Sequence, residues 1–166
     1  MQPVDQLNSG QSLQWLKQKI EQLRVTTIKA TPKIEPGGLY FFFYQPIGKI
    51  KLPYYDTFPL VLVTGIHRDG FTGLNFHYLP PTYRIAYLKK QSVALARPMI
   101  KKYLVKQIRS RVLPVQPEEW AMSVALPLAQ FRKKFQHVVW QESLDTAKNW
   151  KPGSGTVHVA GTRREE

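Results

Sequence analysis

The spacing of apolar positions divides the chain into a helical start, an aromatic β region and a largely helical second half. Leu13, Leu16, Ile20 and Leu23 recur at three- and four-residue intervals beside Trp15, with Lys17, Lys19, Glu21 and Arg24 on the wet side, so an amphipathic arm helix is predicted from Ser12. Val25 to Pro36 mixes β-branched residues, prolines and alternating charge, and reads as an extended connector ending at Pro36-Gly37-Gly38. Leu39-Tyr-Phe-Phe-Phe-Tyr44 is too short for a buried helix and rich in strand formers, so it is predicted as a strand covered on both faces and stopped by Pro46. A loop through Gly48, Pro53 and Pro59 leads to a second strand at Leu60-Val-Leu-Val63. Arg68-Asp69-Gly70 then supplies the Asp-Gly pair of a tight hairpin. From Phe71 to Leu79, Leu74, Phe76 and Tyr78 alternate with Gly73, Asn75 and His77, the period of a half-buried strand. Three consecutive antiparallel strands predict an α+β fold built on a small SH3-like barrel or meander with flanking helices.

Pro80-Pro81 closes the sheet, and Thr82 is expected to cap a helix carrying Tyr83, Ile85, Ala86, Tyr87 and Leu88. After Pro98, Ile100, Tyr103, Leu104 and Ile108 form an apolar stripe with Lys102, Lys106 and Arg109 on another side, which predicts a basic helix broken by Leu113-Pro114-Val115. Pro117-Glu118-Glu119 has the composition of a helix first turn, and a short turn followed by a strand over Ser123 to Leu126 is the expectation. Leu128 to Lys148 reads mainly as helix, with Phe131, Phe135 and Trp140 as buried anchors. The domain reading is an N-terminal arm helix and connector over 1–36, one α+β core over 37–150, and a tail over 151–166 that is flexible or ordered by a partner.

Composition narrows the chemistry. The 166 residues are 43% apolar and 12% aromatic, enough for one core and not two. Lys and Arg number 24 against 11 Asp and Glu, a net charge of +13 that repels itself unless a polyanion or an acidic protein surface offsets it. The absence of Cys excludes disulfides, thiolate zinc sites, Cys nucleophiles and iron–sulfur clusters. No run of about 18 apolar residues occurs, and the start MQPVDQLNSGQ is polar, so a soluble, unprocessed protein with no membrane partner is expected.

Charge placement is the sharpest feature. Between Gly70 and Pro117 there is no Asp or Glu, while Arg84, Lys89, Lys90, Arg97, Lys101, Lys102, Lys106, Arg109 and Arg111 all fall there. Arg132-Lys133-Lys134 forms a second cluster between Phe131 and Phe135. Such a block serves phosphate contact, an acidic partner or a solvated face; a helix used only for solubility interleaves both signs. The candidate contact set for nucleic acid or an acidic partner is therefore Lys89, Lys90, Arg97, Lys101, Lys102, Lys106, Arg109, Arg111, Arg132, Lys133 and Lys134, with Tyr54 and Tyr55 as loop contacts. Tyr40, Phe42, Tyr44 and Tyr87 offer stacking rings too, but an aromatic run on a strand more often fills a core.

Catalysis has little to rest on. His67, His77, His137 and His158 lack HxxxH or HExxH spacing, and neither GxxxxGK[ST] nor GxGxxG occurs. A two-metal nuclease would need Asp56, Asp69 and Glu118 without a motif. Asp69 is better explained by the hairpin and Glu118 by a helix start. No catalytic residue, metal or cofactor is expected.

The segment Gly38-LYFFFYQPIGKIKLPYYDTFPLVLVTGIHRDGFTGLNFHYLPPTYR84, continuing through Met99-IKKYLVKQIRSRVLPVQPEEWAMSVALPLAQF131 and Val139-Trp140-Gln-Glu-Ser143, resembles a family of small virion proteins of T4-like tailed bacteriophages. The aromatic strand, LPYYD-x-FPL and GLNFHYLP carry the likeness; Gln45-Pro46-Ile47 and Ala96-Arg97-Pro98 depart from it. The resemblance implies a non-enzymatic virion protein that caps or contacts packaged DNA ends. The alternative it leaves open is a structural connector of the neck, tail or baseplate, using the basic surface and terminal arms against other virion proteins. Its implied partners are virion proteins, DNA or both, with a ring-shaped homo-oligomer as one arrangement. Its implied location is the virion, reached by assembly in the host cytoplasm.

Overall fold

Antiparallel pairing on both sides of one aromatic strand organises the molecule. The computed structural model describes residues 9–24, 33–126 and 128–151, and of residues 9–12, 23 and 24 the backbone alone. Strand β1 (Leu39–Phe41) lies between β3 (Leu60–Ile66) and β6 (Leu113–Val115), and β4 (Gly70–Asn75) and β5 (Ile100–Leu104) extend the sheet in the order β5-β4-β3-β1-β6. A second, two-stranded ribbon pairs β2 (Tyr55–Asp56) with β7 (Phe131–Arg132). Helices α1 (Ser9–Arg24), α2 (Pro81–Lys90), α3 (Val93–Ala96), α4 (Trp120–Ala125) and α5 (Gln136–Asn149) complete the α+β fold.

Alternation along a strand sends successive side chains to opposite faces, and here both faces are covered. Leu39, Phe41, Leu60 and Leu74 enter the larger core with Trp15 of α1, Val124 of α4 and Val139 of α5. Tyr40, Val61, Val63, Phe71 and Tyr103 enter a smaller one with Phe42, Tyr44 and Val112. The two-faced burial expected of the aromatic run is therefore present, although regular pairing stops at Phe41 and Tyr44 returns as a single bridge to Ile108. Rings lock the second core: Phe42 meets Phe71 edge-on at 5.7 Å and Tyr103 at 5.4 Å. Trp15 lies 5.7 Å from Phe41 and its indole N–H donates to Glu119, which fastens the arm helix to the body. Residues 25–32 of the expected connector and 152–166 of the expected tail lie outside the described residues.

The sheet does not close into a barrel, since β5 and β6 remain as edges. The chain that could have bridged them instead passes from β5 to β6 under the second face, where Ile108 and Val112 pack and Arg109 N–H donates to the Phe43 carbonyl at 2.8 Å. Several expected elements change identity for the same reason, that tertiary pairing overrides local pattern. The basic helix after Pro98 is β5, paired with β4 from Gly70↔Leu104 to Leu74↔Ile100, followed by a 3-10 turn at Val105–Gln107. Leu113-Pro114-Val115 is an edge strand, where a proline costs no ladder bond on its open side. Phe76–Tyr78 leaves the sheet as a 3-10 turn with Asn75 accepting from the His77 amide, so His77 is buried and not on a wet face. Trp120–Ala125 is helix, where the pattern predicts a strand over Ser123 to Leu126; Gln116 and Glu119 form a reciprocal cap ahead of it. Helix α2 begins with Pro80 at its cap position and Pro81 at its first residue, so Thr82 is no cap. The last helix starts only at Gln136, after β7, which leaves Phe131 half-buried and Phe135 78% exposed.

Tight strand contact imposes one sequence requirement at the hairpin. A Cβ on Gly70 would lie 1.8 Å from the Tyr103 carbonyl oxygen in the neighbouring strand. Backbone cannot yield there as a side chain would. Gly70→Ala is expected to destabilise the fold by about 1–3 kcal/mol, read as a lowered urea midpoint with an unchanged denaturant slope.

Candidate nucleic-acid interface

The cations expected on one helix are distributed by the fold into distinct settings. Lys102 leaves the open side of β5 and pairs with Asp69 of the hairpin at 3.2 Å. Lys106 and Arg109 follow on the exposed turn, where Arg109 donates to the Lys106 carbonyl at 2.7 Å. That turn is bonded to its neighbours by main chain, Val105 N–H to the Asp69 carbonyl at 3.0 Å and Gln45 N–H to the Gln107 carbonyl at 3.1 Å. The strand of chain beginning at Gln45 continues into the exposed loop 47–51, which carries Lys49 and Lys51. Lys133 then grips this loop, its ammonium donating to the carbonyls of Lys49 (2.5 Å), Ile50 (2.8 Å) and Leu52 (2.7 Å). Hairpin, turn, loop and β7 are thus joined edge to edge, and Arg68, Lys106, Arg109, Lys49, Lys51 and Arg132 stand exposed along them without an acidic partner among the described residues.

The other predicted cations do not join that stripe. Lys89 and Lys90 are exposed at the end of α2, in the helical layer. Arg97 rests on the Trp150 ring at 5.0 Å, and Arg111 is half-buried. Lys134 is tied to Glu142 at 2.8 Å and lies 4.9 Å from the Tyr54 ring centroid. Lys101 is not on the surface at all: strand alternation turns it inward, its ammonium 4.0 Å from the centre of the Tyr78 ring. Burial pushes its pKa down to about 7. Arg84, also in the acid-free block, is fully buried and donates to the carbonyls of Leu79 (2.7 Å), Val124 and Leu126 (both 3.0 Å), which staples α2 to α4.

The Tyr-Tyr-Asp loop is likewise drawn inside. Tyr54 is buried with its phenol pushed up to about 12, by burial first and by Glu142 second, and Tyr55 is half-buried in β2. Asp56 is completely enclosed. Its Oδ1 accepts from the Phe58 amide (3.0 Å) and the Gln130 amide (3.2 Å), and its Oδ2 from Asn75 Nδ2 (3.0 Å) and His77 Nδ1 (2.8 Å). Burial opposes ionisation, but His77 and the hydrogen bonds outweigh it and hold the carboxyl below its ordinary range. Burial likewise holds His77 below its ordinary value against the pull of Asp56, so at neutral pH the ring is neutral, with Nδ1–H donating and Nε2 unpartnered. Both oxygens of Asp56 are consumed, and Asp69 is occupied by Lys102, so the carboxylates that a nuclease would need are engaged in holding structure.

A family model described as Phage T4 terminal DNA protecting protein matches residues 3–97 and 83–145, which together span most of the 166 residues. The chain belongs to this family. Neither the curated proteins nor the solved structures gave a match. The strings that carried the resemblance turn out to serve the interior of the family fold: Asp56 of LPYYD and Asn75 and His77 of GLNFHY build one hydrogen-bonded cluster. The cations Lys49, Lys51 and Arg68 were missed because each stands in a short loop, where no periodicity marks a face. Among the described residues no helix is long and apolar enough to cross a membrane.

Two outcomes follow from this geometry. The folded chain binds fewer protons at His77 and Asp56 than the unfolded chain does, so stability present above about pH 6.5 is lost as pH falls, first through His77 and then through Asp56 below about pH 4. Urea midpoints measured downward from pH 8 are expected to decline over that window, and Asp56→Asn, which faces donors with an amide, is expected to cost about 3–5 kcal/mol at pH 7. Lys101 has the same sign at higher pH, because the unfolded chain is protonated between pH 10.5 and 7 where the folded chain resists it. Lys101→Met is expected to stabilise the protein by about 1–4 kcal/mol at pH 7, read by calorimetry.

Proposed function

We propose that this chain is a non-enzymatic virion protein that covers the ends of packaged DNA and holds the duplex through its phosphates. Family membership supplies the class of ligand, since the family is described as protecting terminal DNA. The observation that carries the residue assignment is the stripe of exposed cations free of acidic partners: Arg68, Lys106, Arg109, Lys49, Lys51 and Arg132 on four segments joined by main-chain and Lys133 bonds. Lys102 adds to the same edge while remaining paired with Asp69. Lys89 and Lys90 form a separate, secondary site on the helical layer.

This arrangement suits backbone contact and not base reading. Phosphate contacts position a protein on a duplex without sequence information, and the stripe runs over turns too short to insert a recognition helix into a groove. A protein acting on termini of any sequence needs that tolerance. It would travel in the particle after assembling there in the host cytoplasm. The neck or tail connector reading draws mainly on the terminal arms, of which residues 1–8 and 152–166 lie outside the described residues.

The combined variant Lys106→Glu, Arg109→Glu and Arg132→Glu is expected to abolish retention of linear duplex DNA at low salt while leaving the melting temperature within a few degrees. Single Lys→Ala changes in the stripe should make the log–log salt dependence shallower by about 0.9 for each phosphate no longer neutralised. Lys89→Glu with Lys90→Glu should weaken binding less. DNA retention by the triple variant equal to that of the unaltered protein would remove the stripe from the interface.

A further inference from the structure

Phe135 is 78% exposed, an unusual position for a phenylalanine in a domain that buries most of its rings. Its main chain is nevertheless fixed, with its carbonyl accepting from the amides of Val138 (3.0 Å) and Val139 (3.3 Å) at the start of α5. His137 lies parallel to it, the ring planes 9° apart and the centroids 5.9 Å apart. Rings in contact are separated by about 3.5–4 Å, so at 5.9 Å the pair must be displaced sideways, presenting a flat platform wider than either ring. Beside it, Lys133 anchors the loop 47–51, where Ile50 is 87% exposed between Lys49 and Lys51. The surroundings are positive without interruption: no Asp or Glu occurs between Glu119 and Glu142, or between Glu35 and Asp56.

Resting on the DNA-end reading above, we infer that the Phe135–His137 platform stacks on the outermost base pair of a blunt duplex end, with Arg132, Lys49 and Lys51 holding the flanking phosphates. A duplex end differs from its interior in one respect that chemistry can read without sequence: the terminal base pair exposes an unstacked aromatic face. An exposed flat ring pair, held rigidly and ringed by cations, is complementary to that face in shape, polarity and charge. Phosphate contacts alone do not separate an end from an interior stretch. The platform supplies the discrimination that the stripe lacks.

The test compares a short blunt duplex bearing 2-aminopurine at its terminal position with a dumbbell of the same sequence whose ends are closed by loops. The unaltered full chain is expected to bind the open duplex at least about tenfold more tightly than the dumbbell and to quench the terminal 2-aminopurine. Phe135→Ala should lose the preference and the quenching while binding the dumbbell as before; Phe135→Trp should retain both. Because the ring is on the surface, an unchanged thermal melt accompanies each variant. Equal affinity of the unaltered protein for open and closed DNA, or a preference that survives Phe135→Ala, would overturn the inference and leave phosphate binding standing. Loss of DNA binding altogether in the unaltered protein would remove both. A Phe135→Ala change that separates a self-associated form in sedimentation, with the end preference intact, would assign the ring to a second copy and overturn the inference as well.

Discussion

One buried carboxylate ties together segments that the chain brings from far apart. Asp56 accepts four hydrogen bonds, from the Phe58 amide beside it, from Asn75 and His77 at the end of β4, and from the Gln130 amide ahead of β7. An enclosed carboxylate with unfilled lone pairs would be costly, so the four donors are required together and none can be lost alone. This is what sets the two-stranded ribbon against the five-stranded sheet. Asn75 further reaches back to the Leu60 amide and His77 offers its carbonyl to the Trp140 indole at 2.8 Å, so the cluster extends from β3 to α5. The stripe and the platform hang from these elements: Arg132 pairs with Tyr55, and Phe135 begins α5.

The interior carries two further charges whose purpose is unlike that of Asp56. Arg84 spends its fork on carbonyls left open where α2 begins and α4 ends, a use of guanidinium geometry that an ammonium could not copy. Lys101 has no such set of acceptors; it lies over Tyr78 within a ring of tyrosines, beside Asp56. Its inward position is dictated by the register of β5, because Lys102 and Tyr103 beyond it must meet Asp69 and the second core respectively.

Much of the fold was legible in the sequence, and the failures share a cause. The arm helix, the doubly covered aromatic strand, the Asp-Gly hairpin and the helix after Pro80 were readable because each rests on a local signal: periodicity, ring content, turn chemistry, proline. Ile100 to Ile108 satisfied helical spacing just as well as it satisfies a strand followed by a turn, and only pairing with β4 decides between them. The same ambiguity misplaced Ser123 to Leu126 in the opposite direction. Among the candidate contacts, the acid-free run was visible, but the sequence could not say which cations alternate inward, and Lys101 and Arg84 went to the interior. Tyr54 and Asp56 looked exposed because prolines flank them; the donors that enclose Asp56 come from residues up to 74 positions away.

The loss of the basic helix alters what kind of binder the chain can be. A helix with cations along one face would offer a straight row that fits a groove or a single strand. The structure instead gathers its free cations from a hairpin, a 3-10 turn, a loop and a short ribbon strand, each held by main-chain bonds to the next. Such a surface is stiff because its supports are backbone and not long side chains, and its charges are spaced by loop geometry and not by a helical repeat. Rigid, irregularly spaced cations favour one placement of a duplex over sliding along it, which is the behaviour required of a protein that must stay at an end. Polyanion attraction explains arrival at DNA, and the flat rings at Phe135 and His137 supply the reason to stop at its terminus.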